Sequence, residues 1–194
     1  MAPSAVSCTT ALKEWATVLE AMAKGEQLIL IRKGGLIEPG SGFDLASEQF
    51  VFYPTFEHQA VNYLRPAYQG YFEQASARRA VEGRVRFELF GQAVYSVKSH
   101  DPKTVEQLKP FHIYNEAFLS QRLKWQADWP LMVVVIRAFR FDPQTIPIAA
   151  RYAGCKSWVE LEGPIQLEAL QPVLDDVVFA KQLEQIKTLL NAAS

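Results

Sequence analysis

The stretch Leu131-Met-Val-Val-Val-Ile-Arg-Ala-Phe-Arg-Phe141 decides the architecture of this chain. Its first six residues are apolar without a break, so a strand built from them needs cover on both faces and belongs in the middle of a sheet. Its natural companion is residues 84–90, where Val85, Phe87 and Leu89 alternate with Arg84, Arg86 and Glu88. That two-residue period describes an antiparallel strand with one solvated face, which Gly91 bends into a partner or continuation at 92–97. Shorter strands are expected at 27–31, 49–53 and 157–161, the first two pairing as a hairpin or meander. Residues 75–83 read as a helix tail and an exposed basic connection.

Helical spacing accounts for the intervening segments. Thr9 and Thr10 offer N-caps to a first helix carrying Leu12, Trp15, Leu19 and Met22 on one face, with Gly25 placed to end it. Thr55 is positioned to cap a helix over 56–65 that Pro66 stops. Asp101-Pro102 opens a short helix, Asn115 caps the next, and Asp175 or Asp176 caps a C-terminal helix with Phe179, Leu183, Ile186 and Leu190 on one face. The expectation is an α+β fold: five to seven strands in a strongly bent mixed sheet or small β-barrel, flanked by helices.

At 194 residues the chain suits one globular domain spanning 1–194, and its 49% hydrophobic and 21% charged residues describe an ordinary folded protein. Twenty Lys and Arg against 21 Asp and Glu leave a net charge of −1, so a polyanion could be met only by a local basic patch. The first ten residues lack a basic n-region and an apolar core, and the longest aliphatic run, 131–136, is too short to span a bilayer. Cys8 and Cys155 sit in dissimilar contexts that imply no disulfide. A cytoplasmic protein with no membrane contact is expected.

Four constellations offer chemistry. Arg32-Lys33-Gly34-Gly35 follows a strand; the glycines let backbone N–H groups turn toward an anion while the cations add charge, although a solvated strand end with a glycine bulge reads the same way. In Thr55-Phe56-Glu57-His58-Gln59, a helix starting at Thr55 places His58 in the first turn, where the dipole favours the neutral imidazole; a purely structural cap is the simpler reading. His112 and Glu116 lie four apart, but Asn115 starts a helix between them. No Cys-x-x-Cys or His-Glu-x-x-His spacing exists, so neither a metal nor another cofactor is expected. In Gly154-Cys155-Lys156-Ser157-Trp158, Lys156 would lower the Cys155 pKa and Trp158 would offer a stacking face, against the plainer reading of core packing. A restriction-type nuclease would need Glu-x-Lys on a strand, whereas Glu106 and Lys109 are three apart on an apparent helix.

With these blocks identified, the chain resembles an uncharacterised bacterial family, domain of unknown function 1802, common in cyanobacteria. The likeness rests on Ala11-Leu12-Lys13-Glu14-Trp15, Leu30-Ile31-Arg32-Lys33-Gly34-Gly35, Phe52-Tyr53-Pro54-Thr55-Phe56-Glu57-His58-Gln59 and Gly154-Cys155-Lys156-Ser157-Trp158-Val159-Glu160-Leu161. It implies no activity and no catalytic residue. The order of elements after Arg84 is also similar to small PUA-like barrels, many of which bind RNA or modified bases; that likeness concerns fold alone.

The leading expectation is a non-catalytic binding module for RNA, DNA or a nucleotide-like anion. Arg32, Lys33, Arg137 and Lys156 would meet phosphate beside Gly34 and Gly35, with Tyr53 and Trp158 as stacking faces. The alternative is a hydrolase or phosphodiesterase using His58 and His112 with Glu57 or Glu116 as acid/base groups, or Cys155 as a nucleophile paired with a histidine. A third reading is an adaptor meeting partners through aromatic residues 63–72. The first two require that segments near 33, 57 and 156 meet at one edge of the fold.

Overall fold

A computed structural model describes residues 7–33 and 45–192. Gly34 and Gly35, half of the expected anion loop, lie outside the described residues. Among the described residues, seven strands form one mixed sheet: β1 (Ser7–Trp15), β2 (Ile29–Arg32), β3 (Gln49–Thr55), β4 (Arg84–Ser99), β5 (Leu131–Pro147), β6 (Trp158–Gln166) and β7 (Gln171–Pro172). Their order is β2–β5–β4–β3–β1–β6, with β7 also on β5. The described residues also form five α-helices: α1 (Ala16–Ala23), α2 (Gly70–Ala77), α3 (Pro102–Glu106), α4 (Glu116–Lys124) and α5 (Asp176–Ala192). This is the expected α+β class with a strongly bent sheet.

β5 is central, as its apolar run requires. It lies between β4 on one side and β2, then β7, on the other. Val133, Val134 and Val135 have no exposed surface, because the first and last pack into one apolar cluster on one face and Val134 into another on the opposite face. β4 and β5 run 16 and 17 residues, with register shifts at Phe87/Leu89 and Ala93/Tyr95 where the ribbon bends. The sheet curls until Gln166 on edge strand β6 meets Gln144 of β5. The Gln144 amide donates to the Gln166 carbonyl at 2.5 Å and accepts its N–H at 2.9 Å, replacing a backbone ladder partner.

Three apolar clusters follow. One joins β2, the start of β5 and helices α3, α4 and α5; a second gathers Phe87, Phe90, Phe139 and Phe141 with β6; a third packs Leu19 and Met22 of α1 onto Leu12, Phe50, Phe52 and Val134. Asp101, Asn115 and Asp175 cap α3, α4 and α5 through their carboxylate or amide oxygens, as expected.

Three expectations are corrected. The segment starting at Thr9 is a strand as far as Trp15, and the helix begins only at Ala16. β1 pairs with β3 on one side and β6 on the other, and those two ladders outweigh a helical spacing of only four residues. β2 and β3 do not pair: β2 lies against β5, while β3 is antiparallel to β4 and parallel to β1. The helix expected over 56–65 is absent; the chain makes short 3₁₀ turns at Val61–Tyr63 and Pro66–Tyr68, and His58 has φ +62°. A left-handed residue there breaks a helix before it starts. Thr55 caps nothing, because its hydroxyl donates to the Glu14 carbonyl at 3.1 Å.

Gly91 tests the packing at the bend. A Cβ there would stand 2.7 Å and 3.0 Å from the rings of Phe52 and Phe50. Gly91→Ala is expected to lower stability by about 1–3 kcal/mol through overpacking. Urea denaturation of the two proteins checks this, and an unchanged midpoint would show that the rings move aside freely.

Candidate functional site

β1 and β3 run in the same direction, with Trp15 beside Thr55, so their carboxyl ends reach one edge of the sheet together. Such edges are where ligands meet α/β sheets, because side chains and helix starts converge there without disturbing the ladder. α1 follows β1 with no intervening loop. Glu14, on the same face of β1 as Leu12, is 6% exposed and is satisfied twice: Oε1 accepts the Trp15 N–H at 2.8 Å, and Oε2 pairs with Arg32 of β2 at 3.1 Å. Gln59 turns back so that its Oε1 accepts the Thr17 N–H at 3.2 Å and hydroxyl at 3.0 Å. On the other face, Lys13 donates to the Gly154 carbonyl at 2.9 Å and lies 5.6 Å from the Tyr53 ring centre. Burial, then the neighbouring Lys156 charge, lowers the Lys13 pKa, while Glu57 opposes the shift.

The stretches 11–15, 52–59 and 154–161 therefore meet at one edge, joined by Arg32 from β2. Residues 11–185 match the family described as Domain of unknown function (DUF1802). The chain belongs to that family. Among solved structures, this DUF1802 chain is similar to ASCH from Zymomonas mobilis at 12% identity and TM-score 0.40, covering 90% of this chain and 93% of that one. A mutant of the same ASCH protein aligns at 14% identity and TM-score 0.42, over 90% and 94%. Comparison with curated proteins finds no match.

The convergence does not make every expected residue a ligand group. Lys33 is 2% exposed and donates to the Leu123 carbonyl at 2.7 Å, so it fastens β2 to α4 rather than facing solvent. Arg137 is 6% exposed, pairs with Asp176 at 2.6 Å and lies 4.5 Å from the Phe179 ring centre, which fixes α5 onto the sheet. Tyr53 is 8% exposed and edge-on to Phe87 and Tyr152, so its ring is enclosed, while Trp158 is half-buried and packs against Phe50 at 5.2 Å. Lys156 is half-buried and donates to the Arg151 carbonyl.

The histidine pair fares no better as a catalytic unit. His58 and Glu57 are exposed beyond β3, and Glu116 is exposed in the first turn of α4. His112 has no exposed surface, and its Nδ1 accepts the Tyr114 N–H at 3.2 Å. Burial first, and the Arg65 guanidinium next, push its pKa down to about 4. The Cys155 thiol is exposed and free. Among the described residues no three His, Cys, Asp or Glu side chains cluster as metal ligands. The aromatic residues Tyr63, Tyr68, Tyr71 and Phe72 are half-buried, each packed against the helical core.

The open space at this edge lies elsewhere. A cavity of about 460 Å³ is bounded by α1, the end of β3 with Phe56 just beyond it, the tail of α2 and the start of β4. Four arginines line it, Arg78, Arg79, Arg84 and Arg86, against three glutamates, Glu20, Glu82 and Glu88. Arg78 bridges Glu20 at 2.8 Å and Glu88 at 2.6 Å, and Arg86 reaches Glu88 at 3.0 Å. Arg84 donates to the Thr145 carbonyl at 2.8 Å, while the Arg79 guanidinium sits 4.9 Å from the Phe56 ring centre. In sequence these arginines read only as an exposed connection and a solvated strand face. The available signal is their density, four arginines between positions 78 and 86 in a chain without net positive charge.

His112 gives a pH test. A folded-state pKa of about 4 against the usual 6.5 means the unfolded chain binds the extra proton first. The stabilisation is complete above pH 6.5 and disappears as pH falls toward 4, a loss of about 3 kcal/mol. Urea denaturation across this window should show a smaller loss for His112→Asn than for the parent protein. Equal losses would mean that this imidazole is not held neutral.

Proposed function

We propose that this protein is a non-catalytic binding module for nucleic acid or a nucleotide-like anion, and that the ligand occupies the arginine-lined cavity beside the β1/β3 edge. One observation carries the reading: four guanidinium groups and the Phe56 ring border one cavity of about 460 Å³. That volume falls in the range of pockets for single small ligands, about 300–1,000 Å³. Guanidinium forks match phosphate oxygens in pairs, and the Arg79–Phe56 platform offers a flat face on which a base stacks. The Glu20–Arg78–Glu88–Arg86 chain holds two of the arginines in place before any ligand arrives, lowering the ordering cost of binding.

The overall charge of −1 accords with a local site rather than a basic surface. Affinity carried by guanidinium–phosphate contacts depends steeply on salt. The exposed, free Cys155 thiol suits the reducing cytoplasm as the place of action.

Fluorescence anisotropy with short labelled single-stranded RNA and DNA tests the site. Arg79→Ala combined with Arg84→Ala leaves the Arg78 and Arg86 ion pairs untouched. It should weaken binding at least about tenfold and flatten the salt dependence by about 0.7 for each phosphate no longer held. Absence of binding at low salt, or binding indifferent to the double substitution, would rule the reading out.

A further inference from the structure

Glu20 is unusual for a carboxylate in a cavity that would hold an anion. It lies on α1, is 7% exposed, and accepts a 2.8 Å bond from Arg78 through Oε1. Leu19, Phe52 and Leu89 add apolar surface to the same cavity lining. A buried carboxylate holds about four lone-pair positions, and one guanidinium N–H uses only part of that capacity. Apolar surface of this kind accommodates a planar ring, and of the three lining glutamates Glu20 is the buried one, Glu82 being exposed and Glu88 already paired with Arg78 and Arg86.

We propose that the cavity selects guanine, with Glu20 accepting from the base while the arginines nearer the rim take the phosphate. This rests on the binding reading above and names its ligand. Guanine alone among the four common bases presents two adjacent donors on its Watson–Crick edge, N1–H and the N2 amino group, spaced to meet the two oxygens of one carboxylate. Adenine and cytosine set a ring-nitrogen lone pair beside their single amino group, and that lone pair would face Glu20. Uracil flanks its N3–H with two carbonyl oxygens, which repel a carboxylate on both sides. Because Glu20 is shielded from water, a mismatched edge leaves buried polar groups unpaired, and such a mismatch discriminates far more strongly than a change of shape. Arg78 holds the carboxylate, so its orientation does not depend on the ligand.

Isothermal titration calorimetry of the full chain with GMP, IMP, AMP, CMP and UMP at low salt tests this. GMP should bind at least about 30-fold more tightly than AMP, CMP or UMP, and IMP, which lacks only the N2 amino group, about tenfold more weakly than GMP. Glu20→Gln, which offers one acceptor and one donor, should bring the nucleotides to within about threefold of each other. The IMP comparison uses the parent protein alone, so it decides the matter even if Glu20→Gln fails to fold. Equal affinity for all five nucleotides, weakened together by Arg79→Ala, overturns guanine selection and leaves the binding reading standing. Binding to none of them, and to no oligonucleotide, overturns both.

Discussion

The parallel pairing of β1 with β3 sets the terms for the rest of the molecule. With Ala11 beside Val51 and Trp15 beside Thr55, both strands end on the same edge, and both are covered on their two faces. Glu14 and Lys13 are thereby carried into partly enclosed surroundings on opposite faces. A carboxylate so placed is tolerable only when paired and hydrogen-bonded, which Arg32 and the Trp15 N–H accomplish. Lys13 reaches the Gly154 carbonyl for the same reason. The register of one strand pair thus dictates which distant segments approach this edge.

The same pairing opens the cavity. α1 leaves β1 directly and lies over the β3–β4 part of the sheet, packing Leu19 and Met22 inward and carrying Glu20 toward α2. Arg78 answers Glu20 from the end of α2 and reaches Glu88 on β4, so one guanidinium joins three elements. Space remains between them because the chain from Ala80 to Gly83 arches from α2 to β4, with Gly83 at φ +76°. Arginines that would otherwise be surface charges border a partly enclosed volume, where a ligand's charge is less screened than in open water.

A second set of cations serves the fold. Arg137 interrupts the apolar face of β5 between Val135 and Phe139, and α5 covers it with Asp176 and Phe179. Lys33 likewise ties β2 to the end of α4. Their chemistry is that of ligand-binding residues, yet burial commits them to partners within the chain.

Composition and period determined a good deal by themselves. The unbroken apolar run at 131–136 requires a strand covered on both faces, and the alternation at 84–90 requires an antiparallel neighbour. Asp101, Asn115 and the Asp175-Asp176 pair mark helix starts because a short polar side chain accepts from the free N–H groups of a first turn; Thr9, Thr10 and Thr55 carry the same signal and cap no helix. Of the expected meeting of segments near 33, 57 and 156, the approach of the last two was legible, since both adjoin strand ends, whereas Lys33 is buried against α4. Tertiary structure alone decided that residues 9–15 form a strand, since two ladders there outweigh a helical spacing that the segment also satisfies. It alone made β1 and β3 parallel, because the partner of a strand is chosen by packing across the whole sheet and not by neighbours in the chain. It also decided which arginines border open space: a cation on a strand face looks the same in sequence whether a helix seals it, as with Arg137, or leaves a cavity above it, as with Arg84 and Arg86.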